Sequence, residues 1–169
     1  MHTIFEGKHV VVRERDGWEY VERKKATEAV VILAKTDDGR VVFVEQERKP
    51  VGARVIEFPA GLIGDEDEEA DAAATARKEL EEETGFVCTN VERLAGGPSS
   101  AGITSEIIHF YRATGLRRTG DGGGIGNEKI TVHLVPEAEV IDWLRRKEAE
   151  GLLIDAKLWG GLYWLASLS

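Results

Sequence analysis

Pro59-Ala60-Gly61, followed by Arg77-Lys78-Glu79-Leu80-Glu81-Glu82-Glu83-Thr84-Gly85-Phe86, is the stretch from which the rest of the chain can be read. At about 100° per residue, Ala72, Ala73, Ala76 and Leu80 fall within one arc, the stripe that a surface helix buries. Glu79, Glu82 and Glu83, spaced i, i+3, i+4, overlap the edge of that arc, while Glu81 points away. Carboxylates at the margin of a core repel one another and lose hydration unless a multivalent cation sits among them. Hard oxygen donors of this kind suit Mg²⁺, with Mn²⁺ as a substitute. Gly85 suits a left-handed helix cap, so a helix is predicted from about Asp67 to Thr84.

Strand patterns surround this helix. Residues 10–15 and 18–23 flank Asp16-Gly17, a two-residue hairpin signal, and residues 1–24 are expected to form an N-terminal β-hairpin arm ahead of a main domain over 25–169. Residues 29–34 and 41–44 flank Thr36-Asp37-Asp38-Gly39 in the same way. Further strands are predicted at 54–58, 87–95, 106–114 and 129–135, with helices over 136–150 and 155–168. The expected architecture is α/β, a mixed central sheet sandwiched between helices. His109 and His133 are read as core or edge histidines, Trp143, Trp159 and Trp164 as packing residues, and Cys88 as a small buried hydrophobe.

Composition narrows the function classes. The 169 residues carry a net charge of −9 and are 42% hydrophobic, enough for one real core. An acidic balance argues against a nucleic-acid surface. No apolar run approaches the roughly 18 residues of a membrane span, and Met1 to Glu6 does not read as a signal peptide. One cysteine permits no internal disulfide. A cytoplasmic protein with neither nucleic-acid nor membrane partners is expected. The loop Gly120-Asp121-Gly122-Gly123-Gly124-Ile125-Gly126 lacks a Gly-Lys-Ser/Thr ending and so does not read as a P-loop. It is read as a mobile hairpin tip that lets Glu128 swing over a bound substrate.

Gly61 and the run from Glu79 to Phe86 resemble the Nudix box, commonly written G-x5-E-x7-R-E-U-x-E-E-x-G-U with U aliphatic or aromatic. Lys78 stands where the pattern has Arg, and the Gly61-to-Lys78 interval is three residues longer than the pattern. Asp67 keeps the spacing from Gly61, whereas counting back from Lys78 reaches Ala70. Lys78 retains an i, i+4 partner in Glu82 but not the bidentate fork of Arg. Trp18 to Arg23, Val44 to Gly52, Val55 to Gly61 and Asn127 to His133 extend the resemblance to the ADP-ribose pyrophosphatase branch of the Nudix hydrolases.

That resemblance implies the Nudix α/β/α sandwich, a homodimer, and hydrolysis of the diphosphate bond of a nucleoside diphosphate sugar, ADP-ribose first. It implies metal held by the Ala60 carbonyl, Glu79, Glu82, Glu83 and Glu128. Glu82, Glu83, Glu128 and Glu57 are the implied catalytic carboxylates, with Glu57 holding metal-bound water or else serving as a structural ion-pair partner. Trp18, Arg23, Arg48 and Arg54 are the implied substrate contacts; solvated charge for Arg54 and strand packing for Trp18 are the competing readings. Hydrolysis of GDP-mannose, another sugar nucleotide or FAD stays open, as does a nucleotide sensor that does not cleave its ligand.

Overall fold

Alternation within residues 28–34 sets the layering of the molecule. Val31 and Leu33 turn to one face and Val30, Ile32 and Ala34 to the other, all at 2% exposure or less. A strand that is apolar on both faces needs cover on both sides. The computed structural model describes residues 1–64, 71–126 and 128–167. Asp67, Ala70 and Asn127, used above for spacing, lie outside them. The strands are β1 (His2–Glu6), β2 (Val10–Arg15), β3 (Trp18–Arg23), β4 (Glu28–Ala34), β5 (Arg40–Arg48), β6 (Ala53–Glu57), β7 (Ala60–Leu62), β8 (Phe86–Pro98), β9 (Ile107–Arg118), β10 (Thr131–Pro136) and β11 (Leu153–Ile154). The helices are α1 (Ala72–Thr84), α2 (Val140–Ala149) and α3 (Lys157–Ser167).

The central layer is mixed, and it consists of two four-stranded sheets, ordered β7-β4-β9-β8 and β10-β5-β6-β11. Pairing is parallel for β4–β9 and β6–β11 and antiparallel elsewhere in these sheets. On one side Ala76 and Leu80 of α1 pack on Val30, Ile32, Val42 and Tyr111. On the other, Val140 and Leu144 of α2 and Leu158 and Leu165 of α3 cover Val31, Leu33, Phe43 and Ile56. Phe43 stacks on Phe58 at 5.3 Å and on Trp143 at 5.4 Å. The α/β/α sandwich is therefore centred on β4 and the first half of β5, whose residues are buried on both faces.

Several sequence expectations need amending. Asp71 is extended and its carboxylate accepts the Ala74 N–H at 2.6 Å, so it caps α1 and places the described helix start at Ala72 rather than near Asp67. The N-terminal segment is a three-stranded sheet, β1-β2-β3, because His2–Glu6 adds an exposed strand to the expected hairpin. It is tied to the main domain by backbone bonds from Val21 N–H to the Ile103 carbonyl and from Ser105 N–H to the Val21 carbonyl. Trp159 is half exposed, so it does not share the packing role of Trp143.

The glycine-rich loop is also not a hairpin tip, because β9 pairs with β4 and β8 while β10 pairs with β5. It crosses between sheets and docks on the end of α1. Gly123 N–H and Gly124 N–H donate to the Glu83 and Glu82 carbonyls at 2.9 and 3.0 Å, and Gly85 N–H closes the cap on the Glu81 carbonyl. Carbonyls that a helix end leaves without partners are thus satisfied by the loop. Gly122 has φ +68°, and a Cβ there would run into the backbone of Thr84 and Glu83. Gly122→Ala should therefore destabilise the protein by about 1–3 kcal/mol in urea denaturation. Gly102→Ala, where a Cβ meets open space, should be close to neutral.

Candidate functional site

Helix α1 and strand β7 approach so closely that a Cβ on Gly61 would overlap the Glu79 side chain. This contact opens a cleft of about 570 Å³ lined by Gln46, Arg48, Ala60, Gly61, Lys78, Glu79, Glu82, Glu83, Ile125 and Glu128, among others. Four of the predicted carboxylates thus share one cavity, although Glu128 lies in a different segment from the helix. Glu82 is ion-paired with Lys78 at 3.0 Å, the i, i+4 contact expected from the sequence. Glu128 accepts the Ile125 N–H at 3.0 Å.

Glu83 is the unusual member. It is 5% exposed and accepts a single described hydrogen bond, from the Ala60 N–H at 3.1 Å. Burial pushes its pKa up to about 8, with repulsion from Glu79 and Glu128 adding to the rise and Ala60 N–H and Arg48 opposing it. Among the described residues, no three carboxylate, imidazole or thiol groups already stand in coordination geometry. The donor chemistry nonetheless fits a hard divalent cation: carboxylate oxygens beside the backbone of β7, one of them buried. Binding would exchange the contacts that Glu82 and Glu128 make with Lys78 and Ile125.

A second cleft of about 430 Å³ adjoins the first and shares Arg48, Ala60, Gly61 and Leu62 with it. Val31, Phe58, Ile108 and Leu158 contribute apolar surface, and Arg23, Glu57, Glu106, Asp155 and Lys157 contribute charge. Arg48 donates to Glu57 at 2.8 Å, and Arg23 to Glu106 at 3.1 Å. Glu57 is 7% exposed and its pKa is raised by burial, against the opposing charge of Arg48.

Two predicted contacts lie elsewhere. Arg54 lines neither cleft; it pairs with Glu45 at 2.5 Å and reaches Thr131 at 3.3 Å on the outer face of the sheet. The reason is strand parity: Arg54 and Glu57 are three residues apart on β6 and so face opposite ways. Trp18 is 64% exposed, and its indole N–H donates to the Gly102 carbonyl at 3.2 Å, away from both clefts. Sequence reasoning missed Gln46, Asp155 and Lys157. Asp155 had a signal, since an Asp immediately before an apolar helix is a capping residue.

A mixed α/β/α sandwich with helix-borne glutamates packed against a strand glycine defines the class to which this chain is compared. A model of the NUDIX domain matches residues 25–157, and the chain belongs to that family. A methanol dehydrogenase activator of Bacillus methanolicus is 39% identical over 102 residues, covering 60% of this chain and 54% of the relative. An ADP-ribose pyrophosphatase of Bacillus subtilis is 39% identical over 90 residues, covering 52% and 46%. A GDP-mannose pyrophosphatase of Cronobacter sakazakii is 32% identical over 138 residues, covering 76% and 68%. The chain thus spans about half the length of the first two relatives. A solved structure of an ADP compounds hydrolase superposes with a TM-score of 0.67 at 21% identity, over 85% of this chain and 80% of that one, a likeness of fold.

The buried Glu83 has a consequence for stability. Its folded pKa of about 8 lies above the ordinary 4.5, so the folded state keeps a proton that the unfolded chain releases. This stabilising contribution is complete below about 4.5 and is lost as pH rises through about 8. With chelator present, denaturation at pH 5.5 and 8.5 should show stability falling with pH. Glu83→Gln should flatten that dependence; equal slopes in the two proteins would contradict the burial argument.

Proposed function

We propose that this protein is a divalent-cation-dependent pyrophosphohydrolase of nucleoside diphosphate sugars, with ADP-ribose as the first substrate. The observation that carries the reading is the gathering of Glu79, Glu82, Glu83 and Glu128 around one cleft, continued through Arg48 into a second, partly apolar cleft. Similarity to ADP-ribose and GDP-mannose pyrophosphatases supports it.

Mg²⁺ or Mn²⁺ held by these four glutamates and the Ala60 carbonyl would neutralise diphosphate charge and lower the pKa of the attacking water. Arg48, facing both clefts, would bind the diphosphate through its paired donors, with Arg23 contributing from the second cleft. Glu57 would hold Arg48 in place. Glu128 or a helix glutamate would accept the proton of the attacking water, and cleavage of the P–O–P linkage would leave AMP and ribose 5-phosphate from ADP-ribose. Arg54 and Trp18 would serve the substrate only through an assembled dimer, because neither lines either of the two clefts described above.

GDP-mannose is the second reading, favoured by the GDP-mannose pyrophosphatases, whose length the chain covers more fully. A panel of ADP-ribose, GDP-mannose and FAD, read as phosphate after phosphatase treatment, decides among them. ADP-ribose should give the highest kcat/KM, EDTA should abolish turnover, and Mg²⁺ should restore it. Glu82→Gln should lower kcat by about 10²- to 10³-fold. Nucleotide binding without cleavage of any compound would establish the sensor instead.

The reading includes a cytoplasmic homodimer formed through the N-terminal sheet. Met1, Ile4, Phe5 and Trp18 in and beside that sheet are all exposed apolar surface, and exposed strands invite pairing. Light scattering should give twice the chain mass for the full protein and a weakly active monomer after removal of residues 1–24. A fully active truncated monomer would overturn the dimer.

A further inference from the structure

Beneath Arg48 lies a pair of carboxyl groups that the hydrolytic scheme does not use as a pair. β11 runs parallel to β6 with Ile154 opposite Ile56, and Asp155 N–H donates to the Ile56 carbonyl at 3.0 Å. This pairing brings Asp155 beside Glu57, and both line the second cleft. Continued by one residue, this register sets the two side chains side by side, where each acts on the protonation of the other. Two adjacent carboxyl groups bond to each other only by sharing one proton.

The surroundings assign that proton to Glu57. Asp155 is surrounded by the start of α3: its Oδ1 accepts the Lys157 N–H at 2.7 Å, and its Oδ2 meets the Lys157 ammonium at 2.5 Å. Burial raises the Asp155 pKa, but the hydrogen bonds and charge of Lys157 outweigh it and hold the group below the ordinary carboxylate range. Glu57 is displaced the opposite way, chiefly by burial. Arg48 Nε and Nη2 both fall on Glu57 Oε2 at 2.8 Å, which leaves the other oxygen for Asp155. A neutral Glu57 orients Arg48 without cancelling its charge, while Asp155 is offset by Lys157. The positive charge of the guanidinium is thereby left to the cleft.

We infer that Asp155 is a positioning residue: anchored by the first turn of α3, it holds the Glu57 carboxyl, and through it the Arg48 guanidinium, toward the diphosphate. This rests on the proposed hydrolase reading for its substrate but not for its geometry. Asn and Ser both remove the charge of Asp155, and both cap helices well. Only Asn reaches Glu57, so the pair separates positioning from capping and from charge. Asp155→Ser should raise KM for ADP-ribose by about tenfold or more at a smaller change in kcat, the scale of a charge-assisted contact. Asp155→Asn should restore KM most of the way. In NMR spectra without substrate, the Arg48 Nε–H should be protected from exchange in the parent protein and in Asp155→Asn, and exposed in Asp155→Ser. An Arg48 signal unchanged in Asp155→Ser, or equal KM values for the two variants, would overturn the inference. If the parent protein hydrolyses no compound of the panel, the functional reading fails, and the Arg48 signal still decides the positioning role.

Discussion

Close packing of a glutamate-rich helix against the short strand β7 is the constraint on which the site depends. Gly61 lets Glu79 lie where any Cβ would sit, and the same approach carries Glu83 into a buried position with the Ala60 N–H as its described donor. A carboxylate at 5% exposure beside two others is expensive for a metal-free fold. The cost is borne by the apolar stripe of α1, since Ala76 and Leu80 are fully buried against β4 and β5 residues. Stability supplied by one face of the helix thus maintains electrostatic frustration at its edge. A divalent cation, binding only the folded arrangement, would turn that frustration into a stabilising linkage.

The far end of the same helix places the remaining acid. Because Gly123 and Gly124 donate to the carbonyls of Glu83 and Glu82, the segment leading to Glu128 is referenced to the helix that carries the other glutamates. Backbone bonds of this kind hold relative positions better than a long flexible loop does. Glycine serves here for close approach, as the collision at Gly122 shows, rather than for mobility. Whatever motion Glu128 undergoes must begin from a docked loop, and its starting contact is the Ile125 N–H.

Periodicity made the framework legible. Strands at 29–34 and 41–44, the helix ending at Gly85 and the clustered glutamates could each be read from local pattern, because each is dictated by near neighbours; β5 runs on to Arg48, beyond the apolar run that marked it. The family resemblance added the association of Glu128 and Arg48 with those glutamates, which no local pattern carries. What escaped was either short or non-local. β7 and β11 have three and two residues, too few for a period. β1 has no buried face, so nothing in its sequence alternates. The Glu57–Asp155 contact depends on a parallel pairing between distant segments. Arg54 is a different case, since counting residues along β6 already placed it on the face opposite Glu57.

Charge distribution ties the two clefts together. A chain of net charge −9 repels a diphosphate at long range, so attraction has to be created locally. Arg23, Arg48 and Lys157 supply cations to the second cleft, yet each is paired with an acid: Glu106, Glu57 and Asp155. Paired charges in a partly exposed cleft leave little net field. The proton inferred above to be shared by Glu57 and Asp155 would change that count, because Arg48, Glu57, Asp155 and Lys157 would then together carry a net positive charge instead of none. Arg48 lies at the boundary of both clefts. Of these four groups, Arg48 would then carry the uncompensated charge, at the place where the diphosphate of the proposed substrate, spanning both clefts, would put its phosphates.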